Sequence, residues 1–216
     1  METMRAVKRP SELRLEMANS IIHGIGILFG IACIPLLTAL ATKTNNIPGI
    51  VGASIYGFCF LTLFTFSTLY HSFQEPVVKQ TLKLFDHISI YFLIAGTYTP
   101  FILNFLFNRT GIIMLCILWG LAFTGIFFKI YFVNRFNILS TIIYLMMGWL
   151  LLWFSKAFFE PMPAPIIVLI AIGAALYSIG VIFYLWQKWA WHHAIWHLFV
   201  LCAAVCHYVA VLLTVA

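Results

Sequence analysis

His193 and His197 stand four residues apart in the run His192-His193-Ala194-Ile195-Trp196-His197. On a helix this spacing sets them one above the other on a single face. That is how a helix offers two imidazoles to one metal ion. Ser67 and His71 share the same spacing, and Asp86 opens the next apolar stretch. Three nitrogens, from His71, His193 and His197, would leave a fourth position open, as in a catalytic zinc site. Zinc can bring the pKa of a bound water to about 7 and direct it at a carbonyl. The base of a His-Glu-x-x-His helix is missing here, because Ala194 follows His193. Asp86 would supply that base from another helix, and Ser67 would hydrogen-bond the water, the substrate or Asp86.

Other polar residues are read around this set. Glu16, Asn19 and His23 would support the metal ligands or relay protons, and interfacial capping is an equal alternative for Glu16 and Asn19. His207 lies about 15 Å beyond His197 along a helix, so it is expected to bond a neighbouring helix instead. His192 and His87 are expected to point elsewhere. The competing account of the whole set is structural hydrogen bonding between helices.

These residues need elements to position them, and composition says which. Of the 216 residues, 63% are hydrophobic and 8% are charged. A soluble domain carries roughly 25% charged residues. The mean hydropathy of +1.04 agrees, so an integral membrane protein is expected. The net charge of +6 is scattered between apolar spans, so it reads as a topology signal and not as a nucleic-acid surface. The five cysteines fall inside apolar segments with no Cys-x-x-Cys pair, as small buried residues do. No cleavable signal follows the basic stretch Arg5 to Arg9.

A helical span needs roughly 20 apolar residues. Such spans are read near 20–42, 49–71, 86–107, 111–130, 137–158, 164–187 and 190–214. The fold class is therefore all-α, a seven-transmembrane-helix bundle over residues 19–216, with 1–18 as a cytoplasmic N-terminal segment. Gly96, Tyr98 and Pro100 are expected to kink the third helix. With the N-terminus inside, Arg5, Lys8, Arg9, Arg14, Lys79, Lys83, Lys129, Arg135 and Lys188 fall inside, and only Lys43, Arg109 and Lys156 fall outside. This positive-inside bias sets the N-terminus in the cytoplasm and the C-terminus outside. Ser67, His71, Asp86, His193 and His197 then share one depth in the inner leaflet. Ionisable residues within spans are rare and mark function.

The ordered set resembles a known family. The stretches are Glu16-Met-Ala-Asn19-Ser20-Ile-Ile-His23-Gly24-Ile-Gly26, Ser67-Thr-Leu-Tyr-His71-Ser72, Asp86-His87 with Gly96-Thr-Tyr98-Thr-Pro100, and His193-Ala-Ile-Trp-His197 with His207-Tyr208. Together they resemble the bacterial haemolysin III proteins, the prokaryotic branch of the progestin and adipoQ receptor family. The resemblance covers nearly the whole chain. It implies a seven-helix bundle with zinc on His71, His193 and His197, and with Asp86 and Ser67 beside the metal. The wider superfamily includes the alkaline ceramidases, which hydrolyse lipid amides. The long soluble N-terminal domain of the adiponectin receptors is absent, so hormone binding is not implied. The acidic calcium site of the ceramidases is not evident, since Glu16 and Asn19 alone do not build it.

Three functions follow as expectations. The first is a zinc-dependent hydrolase of a lipid amide or ester in a bacterial inner membrane, with membrane lipids as substrate or ligand. The second is a non-enzymatic sensor of membrane state with structural zinc. The third is a cytolysin. Topology is directly testable: a reporter fused after Ala216 should be active only outside the cytoplasm. Activity inside the cytoplasm would overturn the orientation.

Overall fold

The computed structural model describes residues 10–216, which form helices and no strand. Without water in the bilayer core, a spanning chain must satisfy its backbone internally, and a helix does so within one segment. Six helices are long and apolar enough to cross a membrane. They are α1 Pro10–Lys43, α2 Ile47–Ser72, α3 Pro76–Phe105, α4 Arg109–Phe132, α7 Ala164–Leu185 and α8 His192–Val215. Between α4 and α7 lie α5 Asn137–Gly148, a 3₁₀ turn at Leu150–Leu152, and α6 Ser155–Phe159. Arg5, Lys8 and Arg9, and the start of the 1–18 segment, lie outside the described residues. Residues 10–18 are helical and continuous with α1.

Several boundaries differ from the sequence reading, and each difference has a cause. The third helix starts ten residues earlier than Asp86, at Pro76. Proline is favoured in the first helical turn, and the Glu75 carboxylate accepts the Val78 N–H at 2.7 Å. Hydropathy located the apolar stretch, whereas the capping residues locate the helix. Asp86 therefore sits well inside α3. The first helix likewise begins before its apolar stretch, so Glu16 and Asn19 do not cap it. They stand mid-helix with His23 at spacings of three and four, which is one face.

Helix α3 is continuous through Gly96, Tyr98 and Pro100. The helical pattern breaks in the fifth segment, after Gly148. There the Tyr98 hydroxyl donates to the Gly148 carbonyl at 2.6 Å and accepts the Leu151 N–H at 3.2 Å. One side chain of α3 thus occupies both backbone groups that flank the break. That is the condition for non-helical backbone in a membrane protein.

The bundle is built around α2, α3 and α8. Helix α2 packs on α1, α3 and α8, while α7 packs on α8 and α4 on α3. Close approach of α2 and α3 depends on Gly52, where an added Cβ would come within 2.5 Å of Pro100 Cα. The cap of α2 adds a polar tie, because Asn46 accepts the Gly49 N–H and donates to Asn104 of α3, both at 2.8 Å. Gly52→Ala should therefore destabilise the bundle by about 1–3 kcal/mol through overpacking. Gly120→Ala, where a Cβ meets open space, should be neutral. Thermal unfolding of both variants in one neutral detergent checks the pair; equal melting temperatures would contradict the close α2–α3 contact.

Candidate metal centre

Four helix ends meet at one end of the bundle. They are the start of α1, the end of α2, the start of α3 and the start of α8. Alternating helix direction brings Glu16, Asn19 and His23, then Ser67 and His71, then Asp86 and His87, then His193 and His197 to that end. The i, i+4 spacing of His193 and His197 on α8 points both rings toward α2. Ligand nitrogens of His71, His193 and His197 all lie within 4.8 Å of one another. The Nε2 atoms of His71 and His197 are 3.0 Å apart. Ring centroids are 4.9 Å apart for His71 and His197, and 4.5 Å apart for His193 and His197. His71 and His197 are buried and His193 is half-buried.

His71 is oriented from behind. Its Nδ1 lies 2.6 Å from Glu16 Oε2, and Lys79 Nζ lies 3.0 Å from Glu16 Oε1. A carboxylate can only accept, so Nδ1 carries a proton, and in the neutral ring Nε2 is then the nitrogen whose lone pair faces the cluster. Metal-bound histidines are held by a carboxylate in this way. Asn19 Nδ2 stands 3.4 Å from the same Nδ1. Lys79 also donates to the Tyr70 carbonyl at 2.9 Å and stacks over the Tyr70 ring. His23 packs edge-on against His197 with centroids 3.9 Å apart, and neither of its ring nitrogens has a hydrogen-bond partner.

The donor set fits a metal ion. Three imidazoles offer nitrogens to one point, and one of them has its other nitrogen held by a carboxylate. The second nitrogen of His197 is buried without a partner, so ring–ring hydrogen bonding does not by itself satisfy the cluster. Nitrogen ligands suit zinc, copper, iron and nickel alike.

Asp86 stands outside that nitrogen cluster but lines the same cavity as His193 and His197. Ser67 is fully buried, and its hydroxyl is directed at Asp86. His207 reaches the Ile170 carbonyl of α7 at 3.3 Å, away from the cluster as its spacing predicts. His87 was expected to point elsewhere, yet it lines the cavity, as does Lys129. Lys79 also went unrecognised as part of the site. Both lysines read as topology charges in the sequence. An i, i+4 rule sees one helix at a time and has no access to Lys79, which meets Glu16 across a helix interface.

The comparisons with known proteins bear on this geometry. The family model described as haemolysin-III related matches residues 12–208. The chain belongs to the haemolysin III family. It is 45% identical to the hemolysin-3 homolog of Bacillus subtilis over 88% of this chain and 89% of that one. Against hemolysin-3 of Bacillus cereus the identity is 42%, over 92% and 91%. The human monocyte to macrophage differentiation factor is 30% identical over 74% of this chain and 69% of its own. The matched region takes in every residue of the cluster and of its support.

Metal content tests the site. His193→Ala combined with His197→Ala should abolish bound metal, measured by elemental analysis of purified protein. Glu16→Gln should keep the ligands but lower affinity by about 10–100-fold, as loss of a supporting carboxylate does. Full metal in the double variant would remove the centre.

Proposed function

We propose that this haemolysin III protein is a zinc-dependent hydrolase of a membrane lipid amide or ester. The observation that carries the reading is the histidine cluster at the wall of an apolar cavity, with Asp86 lining that cavity outside the ligand set. A site meant only to hold the fold has no need of a carboxylate facing a cavity. The resemblance to the haemolysin III family, which implies zinc on these histidines, favours zinc among the metals that nitrogen ligands accept.

His71, His193 and His197 would hold the ion. Zinc so held supplies a Lewis acid and a nucleophile at neutral pH. The chain's own residues do the rest. The Asp86 carboxylate accepts the proton from the attacking water and returns it to the leaving nitrogen or oxygen. The Ser67 hydroxyl, beside Asp86 and without another partner, orients that carboxylate. Glu16 and Lys79 keep the His71 lone pair directed inward. The apolar wall, with Leu93, Ile94 and Phe101 among its residues, takes the acyl chain and keeps bulk water out. We place the protein in a bacterial inner membrane, with the cluster in the cytoplasmic leaflet, on the basic-residue bias of its loops. The word hemolysin in the names of the Bacillus relatives fits this reading, because cleaved lipids are themselves detergents.

Asp86→Asn separates the hydrolase from a sensor with structural zinc. Asparagine keeps the size but accepts no proton. A catalytic site should keep its zinc and lose lipid hydrolysis by about 10²–10⁴-fold. A structural site should instead lose zinc affinity and melting temperature together. Zinc content, melting temperature and lipid release are to be measured on one preparation. Absence of hydrolysis in the parent protein, with zinc lost from the variant, would support the sensor.

A further inference from the structure

The cavity beside the histidine cluster has a second polar feature that hydrolysis does not use. Lys129, in the last turn of α4, lines the cavity and is 1% exposed. A lysine at the end of a membrane helix ordinarily snorkels, with its stem in lipid and its ammonium in water. Lys129 does not, because its whole side chain is enclosed. No hydrogen bond or ion pair to its ammonium is found among the described residues. Its neighbour Lys83 differs, since that ammonium donates to Asn134 Oδ1 at 2.9 Å.

His87 and Lys129 line the same cavity. The His87 Nδ1 is buried and has no hydrogen-bond partner. Its backbone carbonyl is held by the Tyr144 hydroxyl at 3.0 Å, so the residue is fixed in place. Two nitrogen groups without hydrogen-bond partners therefore border one cavity, whose wall also carries Asp86 and His193. A buried unpaired charge is costly unless an opposite charge reaches it. The rest of the wall is mostly apolar, with Leu145, Leu151 and Phe158 contributing. The cavity volume of ≈ 150 Å³ is room for on the order of ten waters.

We propose that Lys129 and His87 form an anion subsite that holds the phosphate or carboxylate headgroup of an acidic lipid, with its acyl chain along the apolar wall. The polar pair matches an anion, and the apolar remainder matches a chain and not a free ion. This rests on the hydrolase reading only in that the lipid would be its substrate; the subsite itself is a binding claim. Lysine acts on a phosphate as a point charge, and charged hydrogen bonds contribute enough for about a 10–100-fold preference.

Equilibrium binding tests it without turnover. The full chain in a neutral maltoside detergent is titrated with radiolabelled 1-oleoylglycerol 3-phosphate, with oleate, and with uncharged 1-oleoylglycerol. The two acidic lipids should bind at least about 10-fold more tightly than the uncharged one. Lys129→Met keeps the stem, removes the charge and should abolish that preference, while Lys129→Arg and Lys83→Met should keep it. The melting temperature of lipid-free Lys129→Met should be unchanged or higher, because an unpaired buried charge has gone. A lower melting temperature with the lipid preference intact would make Lys129 a structural residue and overturn the subsite. Equal binding of acidic and uncharged lipids in the parent would overturn it too. Displacement of bound lipid by millimolar inorganic phosphate would assign the pair to free phosphate and overturn the lipid. Lipid binding that follows Lys129 in a protein that hydrolyses nothing keeps the subsite and removes the hydrolase. Hydrolysis of uncharged lipids with no acidic preference does the reverse.

Discussion

The histidine end of this bundle depends on one hydrogen bond, from His71 Nδ1 to the Glu16 carboxylate at 2.6 Å. It joins α1 to α2 and decides which nitrogen of His71 faces α8. Lys79 of α3 completes the chain by pairing with the other carboxylate oxygen. Three helices are thereby held through one carboxylate in a region of low dielectric, where such contacts are strong and their loss is expensive. The direction of the His71 lone pair follows, and with it the chance of three imidazoles sharing one point. Remove Glu16 and His71 is free to rotate or change tautomer, though the helices can still pack.

The same demand for satisfied polar groups shapes the far side of the cavity. The fifth segment stops being helical at Gly148, and Tyr98 of α3 takes up the freed carbonyl and N–H. Tyr98, Gly148, Trp149 and Leu151 all line the cavity. A straight fifth helix would present a uniform wall of side chains there. The break lies at the wall of the cavity that the histidines also line, and irregular backbone in a bilayer is tolerated only where protein or a cavity surrounds it.

Much of this was legible in the residues. The membrane class and the long helices follow from apolar runs, because water and lipid sort side chains by composition over some twenty positions. The pairing of His193 with His197 follows from helical periodicity, and the meeting of α1, α2, α3 and α8 at one end follows from alternating direction. Helix starts were less legible at α1 and α3. Hydropathy marks where lipid begins, and both helices extend past that point into polar sequence, α3 under its cap Glu75 and Pro76. A kink was expected in the third helix because Gly96 and Pro100 are local breakers, and α3 runs as continuous helix through them. In the fold Pro100 packs against Gly52, and Tyr98 acts on a different segment.

Sequence by itself determined the all-helical membrane class, the helix faces and the candidate ligands His71, His193 and His197. Those depend on properties that repeat along one helix, and periodicity reports them. Only the tertiary structure decided that Glu16 holds His71, that Lys79 holds Glu16, and that Tyr98 bridges a break fifty residues away. It also decided that Lys129 and His87 face the cavity and not lipid or water. A lysine at a helix end has the same local signature whether it snorkels or turns inward. The difference lies in how α3, α4 and α5 pack around it, and packing between helices leaves no periodic trace in any one of them.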